Sequence, residues 1–168
     1  MHIFLIGFMG SGKSHWGKIW SVLYKFDFVD LDDEIEKREN MSVADIFEKK
    51  VEDYFRKKES ETLRSLQLEE NTIISCGGGS PCFYDNMKWM NEHGLTVFLN
   101  ASPNYILDNI KYEKEKRPLL KHTNEAELLF FIQQKIKERI SFYNKAKIIV
   151  EAADLRSDSF IDIKNFHS

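Results

Sequence analysis

Residues 7–14 read Gly-Phe-Met-Gly-Ser-Gly-Lys-Ser, and the apolar run His2–Ile6 stands directly before them. The eight residues match the pattern G-x-x-x-x-G-K-[ST] of the phosphate-binding loop. The preceding run has the composition of a buried strand, and residues 16–24 alternate apolar and polar side chains at helical spacing. The motif therefore lies between a predicted strand and a predicted helix, which is the context in which it binds nucleotides.

The chemistry of this loop suits a polyphosphate. Its glycines let the backbone turn tightly, so that loop amides and the helix N-terminus can surround the phosphates. Lys13 would add a positive charge at the β- and γ-phosphates, and the Ser14 hydroxyl could bind Mg²⁺. The alternative is a glycine-rich turn that binds no ligand. The residues predicted to bind the nucleotide are Gly10, Ser11, Gly12, Lys13, Ser14 and, through its backbone alone, His15.

Composition narrows the class of protein. With 168 residues, 42% of them hydrophobic, the chain is expected to form a single domain, residues 1–168. A net charge of −3 gives no indication of a nucleic acid or an anionic membrane as partner. No stretch is long enough to span a bilayer, and no signal peptide is recognisable. Cys76 and Cys82 lack redox or zinc spacing, so we expect two free thiols in a cytoplasmic monomer.

Predicted strands and helices alternate along the whole chain. Such alternation predicts an α/β fold with a five-stranded parallel sheet and right-handed crossovers. The predicted strands are His2–Ile6, Phe28–Asp30, Thr72–Ser75, Thr96–Leu99 and Lys147–Val150. The predicted helices are Lys13–Tyr24, Asp32–Glu39, Ser42–Lys50, Val51–Gln67, Tyr84–His93, Pro103–Ile110, Glu125–Lys145 and Ser157–Phe166.

Two polar segments follow predicted strands, at the edge of an α/β sheet where ligands bind. Asp30 and Asp32 follow the second strand, and in an extended chain they would share a side. They suit Mg²⁺ and an acceptor hydroxyl, respectively, although they could simply be acidic residues that begin the next helix. Gly77–Gly79 follow the third strand and would let a ligand approach the backbone, unless they form only a tight turn.

Three arginines lie outside these strand ends. Arg56 belongs to a heavily charged helix, and its local sequence predicts a solvated surface position. Arg117 lies in the charged, proline-containing stretch Lys111–His122, which is either a solvated loop or a lid that closes over the site. Arg139 lies one turn before Tyr143, and its alternative role is a surface salt bridge with Glu138 or a neighbour.

Together and in this order, the motifs resemble those of shikimate kinase. The resemblance extends from about Ile3 to Val150 and depends on the segments G-F-M-G-S-G-K-S, D-L-D, F-R-K-K-E, C-G-G-G, R-P-L-L and R-I-S-F-Y. It implies a three-layer α/β/α fold of the P-loop kinase type, with an acceptor-binding helical region at about residues 32–60 and a mobile lid at about 111–123. It also implies transfer of the γ-phosphoryl group of ATP to the 3-hydroxyl of shikimate, in aromatic amino acid biosynthesis.

The resemblance assigns a role to each of these residues. It implies catalytic roles for Lys13, Asp32 and Arg117, and Mg²⁺ binding at Ser14 and Asp30. Arg117 would also contact ATP from the lid. The residues implied to bind shikimate are Asp32, Arg56, Gly77, Gly78, Gly79 and Arg139.

Three other functions remain open at the level of sequence. One is a different small-molecule kinase of the same fold, such as a gluconate kinase, which Arg56, Gly77–Gly79 and Arg139 argue against. Another is a nucleoside monophosphate kinase, for which no second base-binding signature is found. The last is a non-catalytic regulator that binds a nucleotide, which would not need Asp32, Lys13 and Arg117 together.

Overall fold

A computed structural model describes residues 1–113 and 124–166 of the chain. Its centre is a sheet of five parallel strands in the order β2-β3-β1-β4-β5. The predicted five-stranded parallel sheet is therefore confirmed. The strands are β1 (His2–Ile6), β2 (Asp27–Asp30), β3 (Thr72–Ser75), β4 (Leu95–Asn100) and β5 (Ile148–Glu151).

Helices lie between and after the strands, within a few residues of the predicted bounds. Ser42 accepts a hydrogen bond from the Asp45 amide and caps α3, and Ser102 does the same for the Tyr105 amide in α6. A 3₁₀ turn, Ser80–Cys82, precedes α5. The helices are α1 (Lys13–Tyr24), α2 (Leu31–Glu39), α3 (Val43–Lys49), α4 (Glu52–Arg64), α5 (Asn86–His93), α6 (Pro103–Glu113), α7 (Glu125–Tyr143) and α8 (Ser159–Asn165).

Apolar side chains cover both faces of the sheet, because alternate residues of a strand point to opposite sides. On β1, Phe4 and Ile6 pack into one core, which α2, α4, α5 and α7 complete. Ile3 and Leu5 pack into the other core, beside Trp20 of α1 and the helix α8. These four of the five β1 side chains are fully buried. The result is the predicted arrangement of helices on either side of a central sheet.

The strand order determines where a site can form. The chain runs from β1 to β2 toward one edge of the sheet and from β3 to β4 toward the other, so the neighbouring strands β1 and β3 form the topological switch point. Ligands of open α/β sheets bind beyond the carboxyl ends of strands at such a point. The phosphate loop follows β1, and the ends of β2 and β3 lie beside it. No helix within the described residues is long and apolar enough to cross a membrane.

Candidate active site

The phosphate loop connects β1 to α1 in a conformation that requires glycine. Gly10 and Gly12 have φ angles of 75° and 96°, in the left-handed region that most residues avoid. Lys13, the first residue of α1, is buried, and its Nζ donates hydrogen bonds to the carbonyls of Gly7 and Phe8 at 2.9 Å each. The ammonium is thus held against the loop whose amides would bind the phosphates.

Oxygen ligands suited to Mg²⁺ stand at the start of α1 and the end of β2. The Ser14 hydroxyl donates to Asp30 Oδ2 at 2.6 Å, and its oxygen lies 2.9 Å from the hydroxyl of Ser75. Within residues 1–113 and 124–166, no group of three His, Cys, Asp or Glu residues could hold a metal ion. Mg²⁺ in kinases needs only one or two protein ligands, since phosphates and water supply the rest. The Ser14–Asp30 pair fits that requirement.

Asp32 faces the same space, but the extended-chain argument for its position is wrong. The helix α2 begins at Leu31, and Asp30 is its N-cap, with Oδ1 accepting from the Asp32 amide at 3.1 Å. Asp32 Oδ1 is buried and has no hydrogen-bond partner among the described residues. Burial, followed by the nearby carboxylates of Glu59 and Asp30, raises the pKa of Asp32 to about 6, against the opposing pull of Lys13 and Arg56.

Arg56 is buried, and the local expectation of a solvated surface position is wrong. Its side chain lies on α4 and is 8% exposed. Nη1 donates to Glu59 at 2.9 Å, and Nη2 donates to Glu52 at 3.2 Å. Three rings also surround the guanidinium, with its carbon 4.7–5.8 Å from their centroids: Phe47, Phe55 and Phe83.

Glu59 is a site residue to which the sequence analysis gave no role. It is fully buried, and its carboxylate accepts hydrogen bonds from Arg56 and from the hydroxyl of Ser80. A buried carboxylate needs such partners, because an unpaired one would be strongly unfavourable. Arg56 and Glu59 lie three residues apart on one helix, and this spacing is the signal in the sequence that could have predicted their ion pair. It was not decisive, because α4 carries several such pairs.

Two of the three glycines after β3, Gly77 and Gly79, are required by neighbouring side chains rather than by backbone angles. A Cβ on Gly79 would lie 2.5 Å from Arg56 Nη2. A Cβ on Gly77 would lie 2.6 Å from a carboxylate oxygen of Glu59. Neither residue has a positive φ. The turn that they form therefore packs directly on the charged pair of α4.

Arg139 approaches the same turn from α7. A Cβ on Gly78 would lie 3.5 Å from Arg139 Nη1 and 3.3 Å from the Met9 amide, so this glycine lies between the arginine and the phosphate loop. The guanidinium carbon is 5.5 Å from the ring centroid of Phe8. The alternative, a surface salt bridge with Glu138 or a neighbour, is wrong within the described residues, where Arg139 forms no salt bridge and Glu138 binds Lys135 at 2.7 Å.

One cavity of about 350 Å³ brings these residues together. His15 is exposed and also lines it, whereas Ser11 is buried with its hydroxyl unpartnered in the described part of the chain. Arg117 and residues 114–123 of the predicted lid lie outside the described residues. The predicted site residues that line the cavity are Gly10, Gly12, Lys13, Ser14, His15, Asp30, Asp32, Arg56, Gly77, Gly78, Gly79 and Arg139.

The fold and the cavity define a P-loop kinase that acts on a small molecule. A family model described as shikimate kinase matches residues 9–165. A curated shikimate kinase from Bacteroides thetaiotaomicron is 41% identical over 155 residues, which are 92% of this chain and 89% of the relative. The chain belongs to the shikimate kinase family.

Solved structures agree with this assignment. A shikimate kinase from B. thetaiotaomicron has a TM-score of 0.89 and 37% identity, covering 99% of this chain and 96% of that one. A shikimate kinase from Acinetobacter baumannii, solved in complex with shikimate, has a TM-score of 0.84 and 28% identity, covering 99% and 94%. A gluconokinase from Sinorhizobium meliloti, at a TM-score of 0.59 and 15% identity over 96% and 87%, is similar in fold alone.

Proposed function

We propose that this chain transfers the γ-phosphoryl group of ATP to the 3-hydroxyl of shikimate, giving shikimate 3-phosphate and ADP. One observation carries the proposal: a single cavity holds a phosphate loop, an aspartate with one buried oxygen and two guanidinium groups. The phosphate loop suits the donor. The carboxylate and the guanidinium groups suit an acceptor that carries both hydroxyls and a carboxylate.

The acceptor carboxylate would bind between Arg56 and Arg139. Arginine matches a carboxylate because its planar fork can donate two parallel hydrogen bonds. Arg56 already donates from Nη1 to Glu59 and from Nη2 to Glu52, but each of these nitrogens has a second N–H group. These N–H groups could donate to a ligand in the cavity that Arg56 lines. The backbone of Gly78 would contact the ring hydroxyls of the acceptor.

Asp32 would receive the proton of the attacking hydroxyl. The hydroxyl oxygen forms a bond to the γ-phosphorus, the bond to the β–γ bridging oxygen breaks, and ADP leaves with that electron pair. The proton passes to the Asp32 carboxylate, which has an unpartnered oxygen in the described structure. A pKa of about 6 makes Asp32 a better proton acceptor than an ordinary aspartate while leaving it largely ionised at neutral pH.

The remaining parts of the donor site are assigned from the sequence and the resemblance. Lys13 would stabilise the charge on the transferring group, and Ser14 with Asp30 would hold Mg²⁺. When bound, Mg²⁺ neutralises phosphate charge and orients the phosphates. Arg117 would approach ATP from a lid at about residues 111–123, and the helices at about 32–60 would form the acceptor region.

The test is a coupled assay of ADP release with shikimate, gluconate and a nucleoside monophosphate as acceptors. We expect ADP release that depends on both Mg²⁺ and shikimate, and only slow release with the other two. Turnover on gluconate without stimulation by shikimate would overturn the proposal. ATP binding without turnover on any acceptor would favour a non-catalytic regulator.

The proposal includes a monomer in the cytoplasm, as composition led us to expect. Light scattering at the protein concentration of the assay tests the first part. Cell fractionation with antibody detection tests the second.

A further inference from the structure

A buried asparagine joins the glycine turn to the helix that carries Arg56. Asn86 is the first residue of α5 and is fully buried. Its Nδ2 donates to the carbonyl of Ser80 at 2.9 Å, and its Oδ1 accepts from the hydroxyl of Ser60 at 3.0 Å. One side-chain amide therefore bonds the turn in one direction and α4 in the other.

Arg64 extends this network to the segment between the turn and α5. Its Nη1 donates to Asn86 Oδ1 at 2.5 Å and also contacts Ser60, while Nη2 donates to the carbonyl of Tyr84 at 2.6 Å. Tyr84 and Asp85 have φ angles of 49° and 55°. Two successive non-glycine residues in the left-handed region persist only where the surrounding structure imposes that conformation. Arg64 and Asn86 provide such a constraint.

The network is adjacent to the acceptor half of the cavity, the part lined by Arg56, Glu59 and Gly79. Ser80 donates its hydroxyl to Glu59, which in turn holds Arg56. Ser60, the partner of Asn86, directly follows Glu59 on α4. The Ser80–Glu59 and Asn86–Ser60 hydrogen bonds thus hold the turn against one side of α4. In the same turn, Gly79 leaves no room beside Arg56. A shift of the turn would move the guanidinium that binds the acceptor.

We propose that Asn86 is a positioning residue for the acceptor, which acts through the Ser80 carbonyl on the placement of Arg56. This inference depends on the proposed function, because it assumes that Arg56 binds the shikimate carboxylate. Asn86 does not line the cavity itself. Its effect is therefore expected on acceptor affinity and not on nucleotide affinity.

The variant Asn86→Asp isolates the bond to the turn. A carboxylate keeps the acceptor role toward Ser60 and Arg64, but it cannot donate to the Ser80 carbonyl, which is then left buried without this partner. The matched control is Asn91→Asp on the same helix. Asn91 also donates to a backbone carbonyl, that of Lys145, and accepts from a hydroxyl, that of Thr96, but these two bonds reach neither the glycine turn nor α4.

Steady-state kinetics and ADP binding by calorimetry test the proposal. In Asn86→Asp, we expect the KM for shikimate to rise about tenfold, while kcat changes less than about threefold and the ADP affinity stays the same. In Asn91→Asp, all three values should match those of the wild type, although the added charge is the same. An unchanged KM in Asn86→Asp, or equal losses of shikimate and ADP affinity, would overturn the proposal.

A milder variant covers the case in which Asn86→Asp does not fold. Ser60→Ala removes one bond to Asn86 and should raise the KM for shikimate about threefold with no change in ADP affinity. No change in that KM would then refute the positioning role. A wild-type protein without shikimate-dependent turnover would instead refute the proposed function, so the two failures are distinguishable.

Discussion

Replacing Gly79 with alanine should displace Arg56 without straining the backbone. The φ and ψ angles of Gly79 are −95° and −13°, which alanine adopts readily. The new Cβ would lie 2.5 Å from Arg56 Nη2 and 2.6 Å from Cζ, whereas ordinary contact begins at 3.4 Å. The guanidinium must therefore move by about 1 Å, against its bond to Glu59 and the surrounding rings.

A displacement of this size should weaken acceptor binding strongly. Misplacement of a binding group by about 1 Å can reduce activity by about 100-fold, so we expect the KM for shikimate to rise about 10- to 100-fold. ADP affinity should not change, because Gly79 is separated from the phosphate loop by Gly78. The overlap should also lower the free energy of unfolding by about 1–3 kcal/mol.

The control is Gly94→Ala, which creates a similar overlap far from the cavity. Its Cβ would lie 2.5 Å from the carbonyl oxygen of His2, and its φ of 178° is extended backbone that alanine tolerates. This variant should lose stability and keep the wild-type KM for shikimate. If Gly79→Ala kept that KM as well, or if both variants raised it equally, the proposed dependence of acceptor binding on the placement of Arg56 would be wrong.

Three further predictions concern single residues of the cavity. Asp32→Asn should lower kcat at least about 100-fold, and it should raise the free energy of unfolding above pH 6 by about 3 kcal/mol. The sign follows because a pKa raised from 3.8 to about 6 in the folded state makes the free energy of unfolding fall as pH rises through that window. Denaturant titrations should therefore show a smaller difference in the free energy of unfolding between pH 4 and pH 7.5 in the variant than in the wild type. Equal differences in the two proteins would contradict the raised pKa. Arg139→Ala should weaken shikimate binding about 100-fold and Arg139→Lys about tenfold, because lysine keeps the charge but lacks the planar guanidinium group. Calorimetry with shikimate and with ADP checks both variants. Unchanged shikimate affinity would remove this residue from the acceptor site. Ser14→Ala should raise the Mg²⁺ concentration for half-maximal activity about tenfold, and EDTA should abolish turnover until Mg²⁺ is restored; an unchanged Mg²⁺ dependence would exclude the hydroxyl as a ligand.

Much of the fold could be predicted because its signals are local. The apolar runs predicted the strands, and the strand–loop–helix context of Gly7–Ser14 predicted the phosphate loop that lines the cavity. Ser42 and Ser102 cap α3 and α6 by accepting from amides three residues further along the chain. These features depend on residues a few positions apart in the chain, which is the range over which sequence patterns are informative.

The acceptor half could be predicted only through the resemblance, because its contacts join distant segments. Arg56 reads locally as one charge on a solvated helix, but the turn at Gly77–Gly79 covers it from another part of the chain. Asp32 is oriented by the start of α2 rather than by an extended strand. Asn86 carries no motif at all, and its role depends on where Ser60 and Ser80 meet in space.

The enclosure of Arg56 also affects the thermodynamics of ligand binding. An arginine side chain loses about 2 kcal/mol of rotamer entropy when it is fixed in one conformation. Because Glu59, Glu52 and three aromatic rings already fix this one in the ligand-free protein, that entropy is lost during folding and not during association. Shikimate should therefore bind without a nucleotide, and with a smaller unfavourable entropy than a mobile surface arginine would impose.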